Sequence, residues 1–178
     1  MTLRITLISP ENEDFILEFK IDADASFADL HRLILRNCGF EEAHGQRFFI
    51  CDENWKPIQR ILLSDEENVT IDEDVYLMSD TDLGEFLEDE GQRLTYRFDP
   101  EDRRMFLLEL TETTFGERVP SEGVLTRRHG KAPMQYLENE DPQASTSTVL
   151  TEELEEEFYG EDGFEEEDLD MEGFDIME

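Results

Sequence analysis

Apolar and polar residues alternate from the second residue onward. Leu3, Ile5 and Leu7 are set against Thr2, Arg4 and Thr6, the period of a strand with one buried face. Phe15, Leu17, Phe19 and Ile21 repeat it after Ser9-Pro10-Glu11-Asn12-Glu13, a run of turn-forming residues. The pattern predicts an opening β-hairpin. The period then lengthens: Phe27, Leu30, Leu33 and Ile34 recur at helical spacing behind Ser26, with Asp29 three positions after that cap. Asn37-Cys38-Gly39 ends this helix, because glycine takes the left-handed conformation that closes a last turn.

A strand is expected over Arg47 to Cys51, with further short strands over Ile58 to Leu63 and Val75 to Met78. Leu83, Phe86 and Leu87 predict a brief second helix closed by Gly91. Leu94, Tyr96 and Phe98 alternate with Thr95, Arg97 and Asp99, and Met105 to Leu110 is apolar on both faces. Pro100-Glu101-Asp102-Arg103 between them marks a second hairpin. Strands that come in pairs with helices between the pairs predict an α+β fold, a largely antiparallel sheet with a ββα start, covered by helices. From Thr113 to Tyr136 the periodicity dissolves, which predicts an irregular segment packed over the sheet.

Composition changes this picture after Leu137. Residues 139–148 are polar, with Pro142 and a Ser-Thr run, and residues 138–178 hold eighteen acidic side chains with no Lys or Arg. Two parts follow: an α+β domain over 1–137, and an acidic linker and tail over 138–178, predicted to be disordered by self-repulsion. The whole chain carries 15 Lys+Arg against 48 Asp+Glu, a formal net charge of −33. Removing the tail's −18 leaves the first part at −15, so the overall field opposes polyanions and direct nucleic-acid binding is not expected. No apolar run approaches the roughly 20 residues of a membrane helix, and the chain opens on a strand pattern with no signal-like segment. With only Cys38 and Cys51 present, a reducing cytoplasmic location is the simpler reading.

Several of these residues together resemble a known family: the Ri-plasmid open-reading-frame-three-like proteins, also described as passenger proteins of insertion elements, in the acidic form found among Bacteroidetes. The resemblance spans residues 1–137. It rests on the opening hairpin, Ala25-Ser26-Phe27-Ala28-Asp29-Leu30-His31, Phe48-Phe49-Ile50-Cys51-Asp52 with Trp55, Leu94-Thr95-Tyr96-Arg97-Phe98-Asp99, and Gly130-Lys131-Ala132-Pro133-Met134-Gln135-Tyr136. It implies a compact α+β domain associated with mobile elements, and no established activity. Many relatives continue the Tyr-x-Phe-Asp strand with Gly-Asp-x-Trp-x-His, where this chain has Pro100-Glu101-Asp102-Arg103-Arg104-Met105.

Candidate chemistry is sparse. His31, Cys38, His44 and Cys51 are the one set with zinc-ligand chemistry, but their spread over a helix, a loop and a strand lacks the close pairs of zinc sites. No nucleophile motif, phosphate loop or dinucleotide fingerprint occurs, and Asp72-Glu73-Asp74 and Glu88-Asp89-Glu90 read as solvated loop charges. No catalytic residue, cofactor or metal is therefore assigned. Arg127, Arg128 and Lys131 form the one basic cluster in sequence, expected in a loop that meets a phosphate or the acidic tail. In the tail, Phe158, Tyr159, Phe164, Leu169 and Phe174 stand among carboxylates as candidate partner anchors, and Gly163-Phe164-Glu165 recurs as Gly173-Phe174-Asp175. The expected function is a non-enzymatic interaction protein whose acidic-aromatic tail engages a basic protein partner. The alternatives are a mobile-element accessory protein acting with or against nucleic-acid binding, and a hydrolase or metal enzyme whose site is assembled by folding.

Overall fold

A computed structural model of the chain describes residues 1–64 and 75–137. The predicted tail and its anchors Phe158, Tyr159, Phe164, Leu169 and Phe174 lie outside the described residues, as do Asp72-Glu73-Asp74. The described chain forms β1 (Thr2–Ile8), β2 (Ile16–Asp22), α1 (Phe27–Cys38), β3 (Arg47–Cys51), β4 (Pro57–Leu62), β5 (Tyr76–Leu77), β6 (Arg93–Asp99), β7 (Arg104–Thr114) and β8 (Val124–His129). All eight strands join one mixed sheet in the order β5-β4-β3-β6-β7-β1-β2-β8, antiparallel except for the short parallel β4–β5 pair.

The fold is therefore mainly β, and the expectation of an α+β sheet covered by helices is corrected. Among the described residues α1 is the one α-helix. Its start is built as the sequence indicates: the Ser26 hydroxyl accepts from the Asp29 amide at 3.1 Å and the Asp29 carboxylate accepts from the Ser26 amide at 3.0 Å. Gly39 closes it at φ 70°.

The second predicted helix reduces to one 3-10 turn, Leu83–Glu85. The Leu83 and Gly84 amides donate to the Ala25 and Ala23 carbonyls, both at 2.8 Å. Those bonds tie the segment to the β2–α1 connection, and they outcompete a helix nucleus that so few residues cannot sustain. The segment from Thr113 to Tyr136 is also corrected. Val124–His129 is an ordered edge strand paired with β2, not an irregular cover.

One face of the sheet holds the core. Leu3, Ile5, Leu7, Leu17, Phe19 and Ile21 from the first hairpin join Phe48, Ile50, Leu94, Tyr96, Phe98, Phe106, Leu108 and Leu110, all almost fully buried. The helix lies on this side: Phe27 packs on Phe48 with ring centroids 5.4 Å apart, and His31 sits edge-on to Tyr96 at 5.6 Å. Each such buried Leu, Ile or Phe contributes roughly 1.5–3 kcal/mol relative to exposure. The opposite face carries no described helix. No helix among the described residues is long and apolar enough to cross a membrane.

Candidate functional site

Alternation sends every second side chain of β3, β4 and β6 to the face away from α1. Register decides who meets there. Arg47 is directly opposite Arg97 on β6 and Leu62 on β4; Phe49 is opposite Thr95 and Arg60; Cys51 is opposite Arg93. Arg97 and Arg93 in turn face Met105 and Glu109 on β7. Four of the fifteen cations of an acidic chain thus share one patch with Phe49 at its middle, on strands roughly 5 Å apart.

The patch pairs guanidinium groups with rings. Arg97 lies over Phe49 at 5.0 Å, and Arg93 lies over Trp55 at 5.1 Å. Arg93 also meets Glu109 at 3.7 Å and donates to the Glu53 carbonyl, while the Nε of Arg47 donates to the Gly45 carbonyl at 3.0 Å.

Trp55 is placed by the β3–β4 turn, where the Asp52 carboxylate accepts from the Asn54 and Lys56 amides at 2.8 and 2.9 Å. That turn puts Trp55 at φ 65°, a left-handed conformation costly for a bulky residue. The cost is tolerated at a position that brings an indole to the rim of the arginine patch. Arg47 and Arg97 are directly opposed across the β3–β6 pair. A surface that accepts both features can recognise anions, and flat groups along with them.

The basic cluster expected in a loop is found elsewhere and is taken apart. Arg127 and Arg128 belong to β8, at the far edge of the sheet, five strands and roughly 24 Å from β3. They point to opposite faces. Arg127 meets Glu18 at 3.4 Å on the open face, whereas Arg128 donates to the Asn37 carbonyl at 2.8 Å, where a cation suits the C-terminal end of α1. Beyond the strand, the Lys131 carbonyl accepts from the Asn12 side chain at 2.9 Å.

The zinc-type set is also dispersed. Cys51 lies on the open face, and His31 lies under the helix on the other side of the sheet. Burial pushes the Cys38 thiol up to about 12 and the Cys51 thiol up to about 11, so both are protonated at neutral pH and poor nucleophiles. His31 is 1% exposed and bridges Tyr96 and Glu42, with Nδ1 2.8 Å from the phenol and Nε2 3.1 Å from the carboxylate. A carboxylate only accepts, so the neutral ring carries its proton on Nε2 and takes the Tyr96 hydroxyl proton at Nδ1. Burial holds His31 below the ordinary histidine range, with the Glu42 hydrogen bond opposing; burial also raises Tyr96 well above the ordinary phenol range. The three groups form a structural chain that runs from the buried Tyr96 through His31 to the exposed Glu42.

The family model for plasmid pRiA4b ORF-3-like proteins matches residues 1–176. The chain belongs to that family. The match runs well past residue 137, where the resemblance seen in the sequence ended. Comparison with curated proteins gave no match. Among solved structures, a protein of unknown function, MM3350 from Methanosarcina mazei Go1, is similar at a TM-score of 0.56 and 12% identity, covering 84% of this chain and 88% of that one. At that identity the likeness is one of fold.

In this member of the plasmid pRiA4b ORF-3-like family, the quoted motifs converge on the sheet. Phe49 from one motif meets Arg97 from another across β3 and β6. The Ala132-Pro133-Met134-Gln135-Tyr136 segment serves the frame. Arg104, 2% exposed, donates to the Met134 and Gln135 carbonyls at 2.6 and 3.0 Å, to both Glu11 oxygens at 2.8 and 3.0 Å, and to Asp99 at 3.2 Å. Its guanidinium also lies over Phe98 at 4.9 Å.

Gln135 completes this clasp by exchanging hydrogen bonds with the backbone of Glu41. Gly130 precedes it at φ 73°, and a Cβ there would strike the Asp14 carbonyl.

Proposed function

We propose that the protein is a non-enzymatic interaction protein whose open sheet face binds an acidic polypeptide segment bearing aromatic side chains. The observation that carries this reading is the direct Arg47–Arg97 pair with Phe49 beside it, flanked by Arg60 and Arg93. Guanidinium groups can supply bidentate bonds to carboxylates, and the half-buried Arg47, Arg60, Arg93 and Trp55 form the rim of the patch. The tail was expected to engage a basic protein partner; this reading takes a segment of the tail's chemistry as the ligand of the arginine face. The family's description supports an association with plasmid-borne elements.

A second reading makes the face a platform for single-stranded nucleic acid, since open sheets with Arg and Phe also stack bases. The charge of −15 on residues 1–137 opposes either polyanion outside the patch, so the experiment below decides between them.

The test starts from a folded full-length chain with a specific protease site within residues 139–148, cleaved and freed of its tail at high salt, with circular dichroism confirming the fold. Fluorescence anisotropy is then read with a labelled peptide of residues 152–176. The same peptide with Phe158, Tyr159, Phe164 and Phe174 as Ala, and a single-stranded oligonucleotide, are run alongside. Salt-sensitive binding of the native peptide, weakened by removing its rings, supports the proposal. Binding of the oligonucleotide alone would favour the second reading, and no binding at low salt would end both.

A further inference from the structure

At one end of the sheet, on the side of α1, polar side chains draw several connections together. Gln46 is fully buried; its Nε2 donates to the Glu41 and Phe98 carbonyls at 3.2 and 3.0 Å, and its Oε1 accepts from the Ala43 amide at 2.9 Å. The α1–β3 loop is thereby held against the end of β6, where a Cβ on Gly45 would lie 3.1 Å from Pro100. Asn12 of the β1–β2 turn donates to the Lys131 carbonyl, and Arg104 donates to those of Met134 and Gln135. Gln135 joins the two groups: its Oε1 accepts from the Glu41 amide at 2.8 Å and its Nε2 donates to the Glu41 carbonyl at 2.6 Å. Residues 131–136 are thus strapped across this end by their own backbone.

What the strap presents outward is apolar. Gln135 turns inward, whereas Met134 and Tyr136 on either side of it are 62% and 50% exposed, and Leu137 is 41% exposed. Seven large hydrophobic side chains are exposed among the described residues, and three of them fall within these four positions. A single exposed apolar residue is ordinary, but a cluster on a backbone already held in place has little ordering entropy left to lose on binding.

Charge selects the partner. Glu41 and Glu42 are exposed beside the Gln135 contact, and Glu101 and Asp102 are exposed in the β6–β7 turn just before Arg104. The cations exposed at this end are Arg103 and Lys131, within a domain of net charge −15. A second copy would set the acidic rim against itself, and a polyanion is opposed for the same reason.

We infer that this end of the domain is a docking surface for a basic amphipathic segment of another protein. The apolar stripe of that segment packs on Met134, Tyr136 and Leu137, and its flanking Lys or Arg meet the surrounding carboxylates. The surface lies on the helix side, apart from the arginine face, and stands or falls independently of the role proposed there.

The test titrates the full chain with a labelled helical peptide carrying Leu at i, i+3, i+4 and i+7 and Lys elsewhere. Fluorescence anisotropy gives the affinity and amide NMR shifts give the place. The native chain should bind at least tenfold more tightly than a chain with Met134→Ser and Tyr136→Ser, whose fold circular dichroism checks, and the shifts should include residues 41–42 and 131–137. A second chain, with Glu41→Gln, Glu101→Gln and Asp102→Asn, should also bind more weakly than native, the difference shrinking as salt rises.

Equal affinity of the native and Ser-substituted chains, or of the Leu peptide and its Ser-for-Leu counterpart, would reduce the contact to net charge and overturn the inference. Shifts confined to residues 138–178, or no binding at low salt, would overturn it as well. A native chain that sediments as a dimer, dissociated by the two Ser substitutions, would make a second copy the occupant instead.

Discussion

The two faces of the sheet are made from adjacent residues of the same strands, yet they are built for different ends. On β6, Leu94, Tyr96 and Phe98 turn to the helix and are fully buried among Phe48, Phe106 and α1, while Arg93, Thr95 and Arg97 turn to the other side. β3 divides in the same way, Phe48 and Ile50 against Arg47, Phe49 and Cys51.

On the covered face two buried polar groups are satisfied: His31 by Tyr96 and Glu42, Arg104 by two carboxylates and two carbonyls. On the other face the fold places Arg47 opposite Arg97 and holds Trp55 in a left-handed conformation. Features that cost stability persist where something besides stability selects them. The covered face therefore reads as the scaffold and the open face as the working surface.

Substitutions should separate the two. The largest effect is expected at the clasp: Arg104→Met leaves Glu11 and the 1%-exposed Asp99 without their cation, and urea unfolding should show a loss of roughly 3–5 kcal/mol. Smaller is Tyr96→Phe, which deprives the buried Nδ1 of His31 of its donor and should cost roughly 1–3 kcal/mol by the same measurement.

Next comes a pH effect from His31. Its folded pKa is below the unfolded 6.5, so the neutral ring's contribution is complete above that value. It is lost as pH falls from 6.5 towards the lowered folded value, where the unfolded chain takes up the proton first. Melting curves between pH 7.5 and 5.5 should show that loss, and His31→Gln should flatten the part of the profile that His31 supplies. The smallest effect is at β8. Arg127→Gln breaks an exposed pair with Glu18 and should change stability by no more than about 1 kcal/mol, with peptide binding unchanged.

The sequence showed the covered face far better than the open one. Strict alternation in β1 and β2, the Ser26–Asp29 capping pair and Gly39 are local signals, and they predict the opening ββα unit residue by residue. Local signals also misled. Leu83, Phe86 and Leu87 have helical spacing, but Gly84 is pinned to Ala23, and that bond is invisible without the tertiary fold. β8 was missed because Thr126-Arg127-Arg128-His129 lies on an edge with little apolar content, and strand periodicity vanishes where neither face is buried.

The arginine patch was missed for another reason. Its members stand at positions 47, 60, 93 and 97, and no spacing links them. The one signal was that Arg47, Phe49 and Cys51, like Arg93, Thr95 and Arg97, occupy the off-phase positions of strands whose in-phase residues are Phe, Ile, Leu and Tyr. Only the β4-β3-β6 order makes them neighbours.

The central claim is that the open-face arginines serve binding and the helix face serves stability. It is tested most directly by measuring melting temperature and 152–176 peptide affinity on the same tail-free samples, native and with Arg47→Gln plus Arg60→Gln. Peptide affinity should fall at least tenfold while the melting temperature stays within a few degrees. An unchanged affinity, or a collapse in stability with binding retained by the folded fraction, would contradict it.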